Sequence, residues 1–109
     1  MANKMLIMMT TGPENPRRLG TPFFQATAAV ALDYEALIVT TMDATALMKK
    51  GVAENLTVKQ GASKTVLDFI RDAKAGGVKL YVCPASLDLN DMTMEDLIPE
   101  VDGAMGAAR

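Results

Sequence analysis

Apolar residues in this chain cluster in short runs, separated by stretches with helical spacing. Residues 4–10 (KMLIMMT) form a continuous apolar run closed by TTGPENP, which reads as a buried strand followed by a loop. Pro22 suits the first turn of a helix, with Thr21 as its N-cap. That helix is predicted over about 22–33, with Phe23, Phe24, Ala26 and Val30 on its apolar side. Residues 36–41 (ALIVTT) are rich in β-branched side chains and predict a second strand. Asp43 is a candidate cap for a short helix over 44–50, which Gly51 ends. Residues 52–62 are polar and irregular.

Ser63 is expected to cap a strong helix, SKTVLDFIRDAKAGG. In it Val66, Leu67, Ile70 and Ala73 recur at helical spacing, and Gly76-Gly77 stop it. Residues 78–82 (VKLYV) predict a third strand, followed at once by Cys83-Pro84 and a loop, ASLDLNDM. Thr93 and Asp96 have capping-box spacing ahead of a short helix that ends near Pro99. Residues 101–107 (VDGAMGA) predict a weak last strand, weakened by its glycines.

Strands alternating with helices imply right-handed βαβ units and a parallel sheet. The expected fold is α/β: a flavodoxin-like three-layer sandwich with a mostly parallel sheet of four or five strands, in the order 2-1-3-4. A length of 109 residues makes this a single domain over 1–109.

Composition narrows the chemistry. Half the residues are hydrophobic and 22% are charged, a globular balance. No apolar run approaches the ~20 residues that span a bilayer, so no membrane partner is expected. The apolar start is too short for a signal peptide, and the expected location is the cytoplasm. Net charge is −2, leaving no basic surplus for nucleic acid. With no histidine, no Ser-His or Cys-His dyad and no histidine metal site is possible. The single cysteine excludes an internal disulfide and fits a reducing compartment.

Open parallel sheets bind ligands beyond the carboxyl ends of their strands, where the winding reverses. In a 2-1-3-4 sheet that crevice lies between the first and third strands. The first strand's loop carries Thr10, Thr11, Gly12, Arg17 and Arg18; the third strand's loop carries Cys83 and Ser86. A cationic neighbour or free amide lowers a thiol's pKa from about 8.5. Pro84 has no N–H, so the first amide donors after the thiol belong to Ala85 and Ser86.

Against this stands an inert Cys83, since free cysteines are among the most buried residues. Thr10-Thr11-Gly12 also suits a phosphate, as in a nucleotide- or flavin-binding module, though the segment is not a P-loop. The nine methionines read as adaptable packing rather than a soft-metal site. Asp88, Asp91, Glu95 and Asp96 match no calcium-loop pattern. No metal and no cofactor is expected.

The segments GPENPRRLGTPFFQATAAVAL, KKGVAENL and GGVKLYVCPASLDLNDMTMEDLI together resemble the DsrE/DsrF-like family, which includes Tus sulfur-relay subunits. The resemblance covers nearly the whole chain. It implies a flavodoxin-like fold, assembly into trimers or hexamers, and sulfur transfer through a persulfide on the cysteine that Cys83 matches. Arg18 matches an arginine common in the family's first loop. Some members have a second cysteine in this region; this chain has one, so sulfur would pass to another protein or a small thiol. The expected function is therefore an intracellular sulfur carrier with donor and acceptor proteins, rather than a conventional turnover enzyme. Cys83 is its nucleophile; Arg18, Arg17, Ser86, Thr11 and Gly12 are its substrate-binding candidates. The alternatives are a non-catalytic assembly subunit with an unreactive Cys83, and a nucleotide- or flavin-binding module.

Overall fold

The computed structural model describes residues 4–14, 19–57 and 63–104. Four strands are present: β1 (Lys4–Met9), β2 (Glu35–Thr40), β3 (Lys79–Val82) and β4 (Gly103–Ala104). Three α-helices accompany them: α1 (Gly20–Ala31), α2 (Val66–Ala75) and α3 (Pro84–Leu89). Short 3₁₀ turns cover Met42–Met48, Ala53–Asn55 and Met94–Asp96. All strand pairs are parallel, with Leu6 opposite Leu37, Ile38 opposite Leu80 and Val82 opposite Ala104.

The α/β class and parallel sheet are as expected, but the strand order is β1-β2-β3-β4 rather than 2-1-3-4. Each crossover steps the same way across the sheet, so right-handed connections put α1 and α2 on one face. There they meet, with the Phe24 and Phe69 rings edge to face at 5.4 Å. The apolar run of β1 suggested a strand buried on both sides. It is instead an edge strand: Met5, Ile7 and Met9 pack toward the helices, while Leu6 and Met8 remain 50% and 45% exposed. The core lies between the sheet and the helices and includes Phe23, Ile38, Leu47, Ile70, Leu80 and Val82. Burying each such side chain stabilises the fold by about 1.5–3 kcal/mol.

Local details also differ. Helix α1 begins at Gly20 after Leu19, without a side-chain cap, and Phe24 points outward at 63% exposure. Helix α2 is capped by Thr65, not Ser63: Thr65 accepts from the Asp68 N–H, and the Asp68 carboxylate accepts from the Thr65 N–H at 2.9 Å. Its far end is a Schellman motif, with Val78 N–H donating to Ala73 and Gly77 N–H to Lys74. Gly77 sits at φ +105°, which only glycine adopts freely. The expected helix over 44–50 is the 3₁₀ turn Met42–Met48, with Asp43 inside it and Thr41 at its N-cap. The loop expected after Cys83 is helical, as α3. The helix expected after Thr93 is a 3₁₀ turn, where Asp96 accepts from the Thr93 N–H at 2.9 Å. The last strand is only Gly103–Ala104; the rest of 101–107 past Ala104 lies outside the described residues.

Candidate functional site around Cys83

Cys83 extends β3 by one residue, at φ −79° and ψ 122°, and its N–H donates to the Thr40 carbonyl at 2.8 Å. It is also the N-cap residue of α3, because Pro84 takes the first helical position, where a missing N–H costs nothing. The thiol thus sits where strand turns into helix. Since β3 neighbours β2, the turn after β2 closes over it. Thr41 continues β2 and donates its N–H to the Met9 carbonyl at 2.9 Å.

Ser86, buried on α3, joins the two loops. Its Oγ lies 3.1 Å from Thr41 Oγ1 and accepts from the Met42 N–H at 2.8 Å. Asn90, at the end of α3, donates its side-chain amide to the Met42 carbonyl at 2.9 Å and to the Ser86 carbonyl at 2.8 Å.

Cys83 is 8% exposed. Burial is the largest influence on its thiol and pushes the pKa up; the Ala85 and Ser86 N–H groups and the Ser86 and Thr41 hydroxyls pull it down. The donors prevail, so the thiol ionises below its ordinary value. All four groups are uncharged, and because the Thr41 and Ser86 hydroxyls are bonded to each other, one of the two donates to the sulfur at a time. The Ser86 N–H is shared, since it also donates to the Cys83 carbonyl at 3.0 Å. The arrangement resembles a small anion hole for a thiolate, capable of nucleophilic sulfur chemistry.

The other expected residues fall differently. Arg17 and Arg18 lie outside the described residues. Thr11 is half-buried, and Gly12 donates its N–H to Glu14 Oε1 at 2.9 Å. A Cβ on Gly12 would collide with the Asp43 carbonyl oxygen, so this loop leans on the turn after β2. The expected crevice between the first and third strands does not exist, because β2 runs between them. Thr41 and Met42 were missed for that reason, since with β2 and β3 in register Thr41 is the residue beside Cys83; Asn90 was missed because it reaches the site from the far end of α3.

A cleft of about 310 Å³ near Met5, Ala29, Leu32 and Tyr34 lies at the opposite end of β1, and its lining is mostly apolar. Among the described residues no group of three or more acidic, cysteine or histidine side chains is placed to hold a metal. No helix among them is long and apolar enough to cross a membrane.

Comparison with known proteins decides the lineage. The model of the DsrE/DsrF-like family matches residues 3–108.

The chain belongs to the DsrE/DsrF-like family.

It is 30% identical over 95 residues to the uncharacterized protein MJ0760 of Methanocaldococcus jannaschii, covering 87% of this chain. The match spans only 34% of that relative's length. Two solved structures share the DsrE-type fold. The ychN protein from E. coli superposes with a TM-score of 0.74 at 16% identity, over 99% of this chain and 87% of that one. The protein of unknown function MTH1491 from Methanobacterium thermoautotrophicum gives 0.67 at 11% identity, over 99% and 86%. Family membership is consistent with proteins of the sulfur-relay type.

Proposed function

We propose that this DsrE-like chain carries sulfane sulfur as a persulfide on Cys83, within a cytoplasmic homo-oligomer, trimer or hexamer. One observation carries the reading: a thiol at the end of a parallel strand meets two backbone amides and a linked pair of hydroxyls, neutral groups that favour its ionised form. Family membership supports it.

The chemistry needs no cofactor. The Cys83 thiolate attacks the outer sulfur of a donor such as thiosulfate. A new S–S bond forms, the donor's S–S bond breaks, and sulfite leaves with its electron pair. The persulfide then yields its terminal sulfur to a thiolate of an acceptor protein or a small thiol, and Cys83 returns as thiolate. Ser86 and Thr41 hold the sulfur anion. Arg18 and Arg17 attract an anionic donor, and Thr11 and Gly12 shape the neighbouring loop. With one cysteine in the chain, release depends on an outside thiol.

Incubation with thiosulfate or polysulfide followed by intact-mass analysis tests the reading. The wild type gains the mass of one or more sulfur atoms, reversed by reductant, and Cys83→Ser gains none. Equal loading of the variant refutes the assignment.

The 8% exposure of Cys83 favours one alternative, an assembly subunit with an unreactive thiol. Titration of the native protein separates the two: the carrier labels rapidly while folded, and the assembly subunit labels only on denaturation.

A further inference from the structure

We propose that Asn90 is a positioning residue for the Cys83 site: its side-chain amide holds Met42 in a left-handed turn, and that turn sets the Ser86 hydroxyl against the thiol. The functional consequence rests on the carrier reading; the geometry does not.

Met42 has φ +52°, a conformation that side chains other than glycine, asparagine and aspartate rarely adopt. Packing does not explain it, because Met42 is 53% exposed. Its backbone groups do. The Met42 N–H donates to Ser86 Oγ at 2.8 Å, and its carbonyl accepts from Asn90 Nδ2 at 2.9 Å. The same nitrogen donates to the Ser86 carbonyl at 2.8 Å. Asn90 therefore bridges the turn after β2 to the body of α3, and Met42 is held at both ends.

The consequence falls on one proton. Ser86 Oγ has two lone pairs and one hydrogen. The Met42 N–H occupies one lone pair, and Thr41 Oγ1, at 3.1 Å, can donate into the other. Thr41 then has no hydrogen left for the thiol, and the Ser86 hydrogen is the hydroxyl hydrogen that faces the Cys83 sulfur. Were Met42 to relax to a right-handed conformation, its N–H would leave Ser86 Oγ, and that oxygen would turn away from the thiol to find another donor.

A purely structural role for Asn90 predicts something else. Asn90 is the C-cap residue of α3, and its own N–H donates to the Ser86 carbonyl at 3.2 Å. Loss of a cap lowers stability without changing the protonation of Cys83. Among the described residues, the groups that act on the thiol come from Ala85, Ser86 and Thr41, and none is charged. A pH profile of the thiol therefore reads this network directly.

The test is the pH dependence of Cys83 alkylation by iodoacetamide on the full chain. Wild type should show a midpoint below the ~8.5 of a free thiol. Asn90→Ala should raise the midpoint by about one unit, a roughly tenfold loss of thiolate at neutral pH. Adding Met42→Gly to Asn90→Ala should recover most of that shift, because glycine enters the left-handed region without a clamp. An Asn90→Ala profile identical to wild type, with native circular dichroism, overturns the proposal. So does a shift that Met42→Gly fails to reverse. Should Asn90→Ala not fold, Asn90→Ser keeps a small polar residue at the helix end but cannot bridge both carbonyls; the same shift is expected, and a wild-type profile overturns the proposal. Thiosulfate loading is scored separately. Wild-type loading with an unshifted variant profile refutes only Asn90's role. A shifted profile without wild-type loading refutes the carrier reading and leaves that role standing.

Discussion

At the residue scale, Ser86 has two duties. It faces the thiol, and it satisfies the Met42 N–H at 2.8 Å in a turn with φ +52°. A left-handed non-glycine residue costs about 1–2 kcal/mol, so the turn depends on such contacts. Ser86→Ala should therefore do two things. It raises the midpoint of Cys83 alkylation, because a donor to the thiolate is gone. It also lowers unfolding stability by about 1–3 kcal/mol, the usual cost of an unpaired polar group. Alkylation profiles and urea melts measure these independently, and an unmoved profile would remove Ser86 from the thiol's environment. Cys83 and Ser86 stand out in the sequence because a strand-end thiol is followed by a proline and small polar residues. Thr41 and Asn90 do not stand out, because they reach the thiol from a neighbouring strand and from the far end of α3.

At the element scale, β4 has only two residues and is held largely by Asp102. The Asp102 N–H donates to the Leu80 carbonyl at 2.7 Å, its carboxylate accepts from the Leu80 N–H at 2.8 Å, and the same oxygen pairs with Lys74. Burial raises its pKa, but Lys74 and the Leu80 N–H outweigh that and hold it below the ordinary value. A lowered folded-state pKa contributes stability that is present above the unfolded value, about 3.9, and is lost as pH falls through the folded value. Asp102→Asn should therefore lower the urea midpoint at pH 7, with the gap to wild type narrowing as pH falls below the ordinary carboxylate value. A gap that stays constant with pH would deny the carboxylate this role. Strands β1 to β3 and helix α2 were legible because their periodicity is strong. Helix α3 was not, because a six-residue helix is too short for a repeating apolar face. The α2 cap moved from Ser63 to Thr65 because Thr65-x-x-Asp68 forms the reciprocal pair, and Ser63 has no acidic residue three places on.

At the scale of the whole molecule, the sequential strand order puts α1 and α2 on one face and leaves Leu6 and Met8 half-exposed on the other. A small domain with half its residues hydrophobic has limited means of covering such a surface alone. Sizing chromatography with light scattering should therefore report a multiple of the 11.6 kDa chain. A clean monomer at micromolar concentration would count against assembly.

The amino-acid sequence alone determined the succession of strands and helices, the parallel α/β class and the thiol at the end of the third strand. Local propensity and apolar spacing act over a few residues and leave their mark in the order of the letters. Tertiary structure alone decided which strand lies beside β3. A β-α-β alternation is compatible with either direction of winding, and only packing of the assembled helices and sheet selects between them. That selection placed Thr41 and Met42, rather than the loop after β1, beside the Cys83 loop, and with them the Thr41 hydroxyl and the Met42 N–H that holds Ser86 Oγ.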